Sequence, residues 1–556
     1  MRLVPVCYFL LACGGGAPTP DAAVDGGLAD GAAEADGGPR DWPAMEVPET
    51  TEPETGIVRQ VVRVDGHVPP ANPTTLDETP SVLNRVQIVR YRARDTSEAR
   101  AVIIAIPGLL GGAGSFDALA RHLVRRAAEA GEPIEVWAID RRSNLLEDLR
   151  GLDTAEALSE PDAARGYYFR RETVGGRAFD GFLEQTDVPY MSEWGLATQL
   201  EDVRAVLMQV PEAERKTRVF LLGHSLGASM TEAFAAWRFG DAPGASMVAG
   251  LVLVDGAASE APITESEYRE GTGGGLMTVP GVDAIRSATR FLELPLLGVA
   301  VHVRAEIAAL SALVAPEAVE VDRGRAEVLA TLMSTAVRNI PSMSNAAAFG
   351  FAFDSCCNGL SFAAVSMGQS AGGPLEAYDS LFGSRLLRPS DRDATYTWID
   401  ALDAEPPELT PYANLAHSWA DGRTNFAEWY FPLRLALDLA AVGGLAVPAS
   451  DWQAQEGLRA FDGALVDAPI LAIAAALVPP DRYEAARARV APIGAGRPNA
   501  GATRDMDIAF RIVDATSMTH IDPLTGADVA ANPVPGAVLE FVLANAASGR
   551  VSVSLP

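Results

Sequence analysis

The stretch TRVFLLGHSLGASMTEAFAAWR, Thr217 to Arg238, constrains the fold of this chain more than any other. Val219 to Leu222 is a short continuous apolar run, the pattern of a strand buried on both faces of a parallel sheet. From Ala228 to Trp237 apolar residues recur at helical spacing among good helix formers, so a helix is expected there. Only Gly223-His224-Ser225-Leu226-Gly227 stands between them. A strand that turns into a helix over so few residues presses backbone against backbone, and glycine leaves room for that. Ser225 then sits in a strained turn with its hydroxyl presented at the carboxyl end of the sheet. The helix behind it points the positive end of its dipole at the same place, which favours a developing negative charge.

The pattern G-x-S-x-G occurs a second time, at Gly368-Gln369-Ser370-Ala371-Gly372. With 51 glycines in 556 residues such a match arises by chance, so context decides between the two. The second copy also follows an apolar run, but Gly372-Gly373-Pro374 interrupts the place where a helix should begin. Pro374 suits the first turn of a later helix. Ser370 therefore reads as part of a Gly-rich turn, and Ser225 as the candidate nucleophile.

The elements around Ser225 alternate. GIVRQVVRV and RVQIVRYRAR read as antiparallel opening strands, ARAVIIAIPG and IEVWAID as buried strands, and VAGLVLVDG as the strand after the elbow helix. Amphipathic helices, SFDALARHLVRRAAEAG and WGLATQLEDVRAVLMQV, lie between them. This alternation implies right-handed βαβ crossovers and a mostly parallel sheet covered on both faces. From about Ala257 to Asp467 the period becomes helical, clearest in VHVRAEIAALSALV, RAEVLATLMSTAV and FPLRLALDLAAV. The sheet pattern resumes at APILAIAAALV and DIAFRIVDAT, with a closing helix at PGAVLEFVLANA. Residues 142–192 form a smaller insertion with aromatics at Tyr167, Tyr168 and Phe169.

The strand, elbow and helix at Ser225, in this setting, resemble the nucleophile elbow of the α/β-hydrolase superfamily, in particular its serine esterases and lipases. The resemblance covers residues 57–255 and 468–556. It implies an α/β fold with a mostly parallel central sheet. Residues 256–467 would be a large, mainly helical cap, inserted between the sixth and seventh strands as is common in that superfamily. It also implies acyl transfer to Ser225 followed by hydrolysis.

A serine hydroxyl is a weak nucleophile at neutral pH and needs a base, which in turn needs an orienting acid. On the α/β-hydrolase fold the chain order is serine, acid, histidine. Of the six histidines, His520 alone lies just past the expected last strand, in VDATSMTHIDPL. His67 and His122 precede the nucleophile, His302 and His417 lie in the cap, and His224 is expected to turn its ring away from the serine. The acid should follow the seventh strand, where PILAIAAALVPPDRY offers Asp481; Asp255, ending the sixth strand in LVLVDG, is the rival. Asp481 is preferred, although it lies farther along than usual and the usual glycine is missing. The oxyanion hole would take one N–H from Leu226, after the nucleophile, and one from Leu109 in IPGLLGGAGS, where Pro107-Gly108 replaces the His-Gly of many relatives. Gly111, Gly112 and Gly114 leave room there for close backbone approach.

The start of the chain has a different character. MRLVPVCYFLLAC suits a short signal peptide over residues 1–12, and LLAC resembles the lipobox of bacterial lipoproteins, with Cys13 acylated after cleavage. Residues 14–56 hold ten acids and one base and are rich in Gly, Ala and Asp, so residues 13–56 read as a flexible, self-repelling tether. The expected address is outside the cytoplasm, attached to a membrane through that lipid, at the outer membrane or cell surface.

The net charge of −29 argues against nucleic acid as a partner. No metal-ligand spacing and neither a Walker nor a dinucleotide fingerprint is present, so no cofactor is expected. An apolar cap suits a hydrophobic acyl ester. Two other readings remain open: a peptidase or acyltransferase using the same triad, and a non-catalytic surface binding domain on a hydrolase scaffold. Once Cys7 is removed and Cys13 acylated, Cys356 and Cys357 in FDSCCNG are the remaining cysteines. They are expected either to form a vicinal disulfide or to pack as buried thiols.

Overall fold

The computed structural model describes residues 50–555 apart from 52–55, 95, 273–278, 294–297, 320–340, 360–362, 380–384, 421–423, 449–450 and 554. The signal segment, Cys13, most of the tether and the helix expected over residues 325–337 lie outside the described residues.

The apolar runs become the strands β1 (Ile57–Asp65), β2 (Arg85–Ala93), β3 (Val102–Ile106), β4 (Glu135–Asp140), β5 (Val219–His224), β6 (Gly250–Val254), β7 (Ile470–Ala474) and β8 (Phe510–Asp514). With the two-residue edge strand Thr50–Thr51 beside β1 they form a nine-stranded sheet, continuing in the order β1-β2-β4-β3-β5-β6-β7-β8. β2 is antiparallel to both β1 and β4. Every pairing from β4 through β8 is parallel. The chain reverses its direction of travel across the sheet at β3, which lies between β4 and β5. A crevice opens at the carboxyl ends of strands where such a reversal occurs. The loop after β3 and the elbow after β5 meet at that crevice.

The helices used below are α1 (Asp117–Glu129), α2 (Leu196–Leu207), α3 (Leu226–Ala236), α4 (Ala300–Val314), α5 (Asn345–Phe353), α6 (Tyr412–Trp419), α7 (Leu433–Ala441), α8 (Pro480–Arg487) and α9 (Val534–Asn545). Alternate residues of β5 feed opposite cores. Val219 and Leu221 pack with Leu200 of α2 and Phe234 of α3. Phe220 and Leu222 pack with Leu119 of α1 and Phe541 of α9. This two-sided demand is why the strand is an unbroken apolar run, each such side chain contributing about 1.5–3 kcal/mol on burial.

Between β6 and β7 the chain is more mixed than expected. Helices α4 to α7 are present, but the segment from residue 342 to 400 also holds a three-stranded sheet of Ser342–Met343, Thr395–Asp400 and Gly368–Ala371. A separate hairpin pairs Leu375–Asp379 with Arg385–Pro389. The strands are short, and Thr-Tyr-Thr-Trp-Ile carries the period-two, β-branched and aromatic signature that the flanking Ala- and Leu-rich helices mask. Ser370 lies in one of these strands, facing Trp398 across the ladder.

The two insertions share a core. Tyr167, Tyr168, Met191 and Leu146 of the smaller one pack with Val303 and Ile307 of α4 and with Trp429 and Tyr430. Tyr168 meets Phe179 edge-on at 4.9 Å between ring centroids and Trp429 at 6.1 Å. A further cluster places Phe349 of α5, Trp419 of α6 and Ile521 together. The larger insertion thus rests on the loop that follows β8. Cys356 and Cys357 are joined by a disulfide beside this region.

Candidate active site

Ser225 stands between β5 and α3 with φ 56° and ψ −124°. A non-glycine residue held there costs about 1–3 kcal/mol and persists only where its surroundings over-determine it. Those surroundings are explicit. The Ser225 N–H donates to Val254 O at 2.9 Å, and its carbonyl accepts from Ala228 N at 2.9 Å. A Cβ on Gly223 would lie 2.1 Å from Gly227 O, and one on Gly227 would lie 2.1 Å from Ile106 O, so the elbow closes only with glycine at both.

Asp255 ends β6 fully buried, and its carboxylate accepts from three backbone amides of the loop after β7: Ala475, Leu477 and Val478, the last at 2.8 Å. A buried carboxylate needs such donors. Its Oδ2 also lies 2.7 Å from His520 Nδ1. Because a carboxylate only accepts, Nδ1 carries the proton and Nε2 is left as the basic nitrogen. The preference for Asp481 is therefore corrected. Asp481 lies exposed in the first turn of α8. The loop after β7 supplies amides to Asp255 in place of a carboxylate of its own.

His224 packs beside this pair. Its ring packs against His520 at 4.4 Å between centroids, and its Nε2 donates to His520 O at 2.9 Å. Burial, reinforced by His520, pushes the His224 imidazole down to about 3, so it is neutral and holds the His520 loop next to the elbow. Ser225 Oγ makes no hydrogen bond to a described residue; such contacts are often loose before substrate binds and tighten in the complex.

Facing Ser225 is the loop after β3. A Cβ on Gly108 would sit 2.9 Å from Ser225 Cβ, so the loop lies directly on Ser225. Among the described residues neither Leu109 N–H nor Leu226 N–H has a partner, and Leu226 begins α3. The room left by Gly112 and Gly114 is taken by the insertion, since a Cβ on Gly112 would come within 2.4 Å of Asn425 O and one on Gly114 within 2.6 Å of Ser418 O.

Behind this loop lies a buried polar group that the sequence reading missed. Arg141 Nη1 donates to Glu428 Oε2 at 2.8 Å, both side chains being almost fully buried. Ser143 Oγ donates to Glu428 Oε1. Glu147 accepts from Trp429 N at 2.7 Å and from Asn425 Nδ2 at 2.8 Å. Burial pushes Glu428 up to about 7 against the pull of Arg141, and raises Glu147 well above the usual carboxylate range. Asp140, raised to about 6 by burial, accepts from Ala113 N at 2.6 Å. Two signals were available: charged residues at the end of a buried strand (Asp140-Arg141-Arg142), and a lone acid among the aromatics of NFAEWYF.

Among the described residues, the side chains close enough together to share a cation are Asp354, Cys356 and Cys357, and the two sulfurs are bonded to each other. No helix among the described residues is long and apolar enough to cross a membrane.

No family model matches the chain, and no curated protein matches it. Solved structures do. The chain is similar to a candidate lipase from Sulfolobus solfataricus at 12% identity and a TM-score of 0.42, over 88% of this chain and 93% of that one. It is similar to a peroxisomal α/β-hydrolase from Saccharomyces cerevisiae at 10% identity and a TM-score of 0.36, over 90% and 92%. A thermophilic esterase from Thermogutta terrifontis matches at 11% identity and a TM-score of 0.31, over 87% and 98%.

Proposed function

The chain has the α/β-hydrolase fold, and on that premise we propose that it is a serine hydrolase cleaving carboxylic esters through Ser225, His520 and Asp255. The observation that carries this reading is the strained Ser225 at the elbow, with the buried Asp255–His520 pair anchored beside it through His224. Strain at a nucleophile is kept where it presents a reactive atom.

In this reading Ser225 Oγ attacks the ester carbonyl carbon while His520 Nε2 takes its proton. The carbonyl oxygen, now an anion, accepts from Leu109 and Leu226 N–H. Collapse of the tetrahedral adduct breaks the bond to the alcohol oxygen, which leaves with the proton from His520. Water then attacks the acyl-enzyme as His520 accepts its proton, and the second collapse returns that proton to Ser225 Oγ and releases the acid. Asp255 keeps the imidazole in the required tautomer and stabilises its charged form.

Residues 256–467 act as a cap whose apolar clusters suit a hydrophobic acyl chain. The acidic segment before residue 57 serves as a tether, with Cys13 as the lipid-bearing residue of an exported protein held at the outer membrane or cell surface. Membrane fractionation of Cys13→Ser tests the anchor, and unchanged attachment would count against it.

A fluorophosphonate probe tests the chemistry. It should label the wild type and fail to label Ser225→Ala, and p-nitrophenyl esters of rising chain length should be hydrolysed with a preference for the longer chains. An unlabelled wild type would remove the serine-hydrolase reading, and turnover of peptide amides in preference to esters would move it to a peptidase.

A further inference from the structure

The serine-hydrolase reading needs an amide at Leu109 aimed at the substrate oxygen, and the structure contains a device that would aim it. We propose that Arg141 is a positioning residue that sets the oxyanion loop, and that Glu428, reaching in from the insertion, holds Arg141 in place. The proposal rests on that reading and adds to it a residue pair that acts only through the backbone.

Arg141 follows β4, and its guanidinium spreads over one loop. Nη2 donates to Pro107 O at 2.5 Å and to Gly108 O at 2.8 Å; Nη1 donates to Gly111 O at 2.9 Å. The decisive contact is the one to Gly108. Its carbonyl and the Leu109 N–H belong to a single trans peptide, in which the two groups point in opposite directions. Fastening the carbonyl to Arg141 on the far side turns the Leu109 N–H toward the Ser225 side. If this peptide flipped, the Gly108 oxygen would face the substrate oxygen and repel it. Leu110, with φ 57°, keeps the loop in an unusual course just beyond that peptide.

A lone buried guanidinium is costly, and Glu428 supplies its counter-charge. The insertion delivers Glu428 on a strand-like segment laid along the loop. Glu428 N donates to Leu110 O at 2.8 Å, Gly112 N to Phe426 O at 2.8 Å and Gly114 N to Asn425 O at 3.2 Å, with Gly111 bridged to Ala427. The insertion is thus built into the wall that orients the amide. A lysine at position 141 would keep the charge but could not fork across three carbonyls.

The test compares full-length wild type, Arg141→Lys and Glu428→Gln. Active sites are titrated to completion with a fluorophosphonate, and rates are read per titrated site on a p-nitrophenyl ester. Removing one oxyanion donor typically costs 10²–10³-fold. Arg141→Lys should therefore lower kcat by about 10²-fold with KM within about threefold. It should weaken an aryl trifluoromethyl ketone, whose adduct carries the same oxyanion, by a similar factor. Glu428→Gln should lower kcat by about tenfold in the same manner. A merely destabilised variant would lose titratable sites while kcat per site and inhibitor affinity stayed at wild-type values. Both variants within twofold of wild type on those two readouts would overturn the proposal. Should Arg141→Lys fail to fold, Glu428→Gln decides by the same readouts. A wild type that neither labels nor hydrolyses would sink the serine-hydrolase reading, and this proposal with it.

Discussion

Ser225 and Ser370 stand at the centre of the same five-residue pattern, and the backbone treats them in opposite ways. At the elbow the serine takes the left-handed conformation, with φ 56°, while Gly223 and Gly227 do not. In the insertion it is the glycines that do, Gly368 at φ 128° and Gly372 at φ 89°, and Ser370 does not. Backbone fills the space of a Cβ in both copies, since one on Gly368 would lie 2.1 Å from Ile399 O and one on Gly372 2.2 Å from Thr395 O; what differs is that the second copy also holds its glycines at positive φ, where its strand enters and leaves a short ladder against Thr395–Asp400. One arrangement stores strain at a hydroxyl and the other at positions with no side chain. The pattern names residue types, and the periodicity on either side decides which of them carries the strain.

The sharpest way to break this comparison is to remove each hydroxyl. Ser225→Ala should lower ester hydrolysis on the order of 10⁴-fold or more, because nucleophile and base act as a unit. Ser370→Ala should stay within about twofold of wild type, since no reacting group faces it. Steady-state kinetics on a p-nitrophenyl ester would show it, and a large loss at Ser370 would collapse the distinction.

The acids extend the test. Asp255→Asn should cost about 10³–10⁴-fold in kcat by disturbing the tautomer of His520, while Asp481→Asn, on the surface, should leave kcat within about twofold. Equal losses at the two would restore Asp481 as a partner.

Glycine substitutions come next in size. Gly227→Ala should lower stability by about 1–3 kcal/mol through overpacking and also reduce kcat, because the elbow moves with it. Gly372→Ala meets both left-handed strain and Thr395 O, 2.2 Å from the added Cβ, and should cost about 1–3 kcal/mol while leaving kcat unchanged. Urea unfolding paired with kinetics per active site separates the two patterns.

The smallest effect is a slope. His302, in α4, is held down to about 4 by burial. Between that value and the unfolded value near 6.5 the unfolded chain binds the extra proton, so stability falls as pH falls through this window. The contribution reaches about 1.4 kcal/mol per pH unit. His302→Gln should lose less stability than the wild type between pH 6.5 and 4.5 in urea titrations; equal slopes would show that His302 is not carrying a pH-dependent cost.

The strand, elbow and helix around Ser225 were legible because all three signals lie within a few residues of one another. His520 was legible from its place after the last strand. The acid was not, because what distinguishes Asp255 from Asp481 is the course of the loop after β7, which brings three amides onto a residue some 220 positions away. Arg141 and Glu428 are separated by 287 residues, and neither has a neighbour in sequence that marks it as half of a pair. The small sheet near Ser370 was hidden by brevity, its strands being too short to hold a period against the surrounding helices.

The contact between His520 and Asp255 spans 265 residues. At about 5–20 residues per second the ribosome needs roughly 10–50 s to cover that distance. For that interval Ser225 and Asp255 exist on finished chain while His520 is still unmade. On the proposed reading, a polypeptide that stops short of His520 is inert toward acyl groups, so the chemistry waits on the segment after β8.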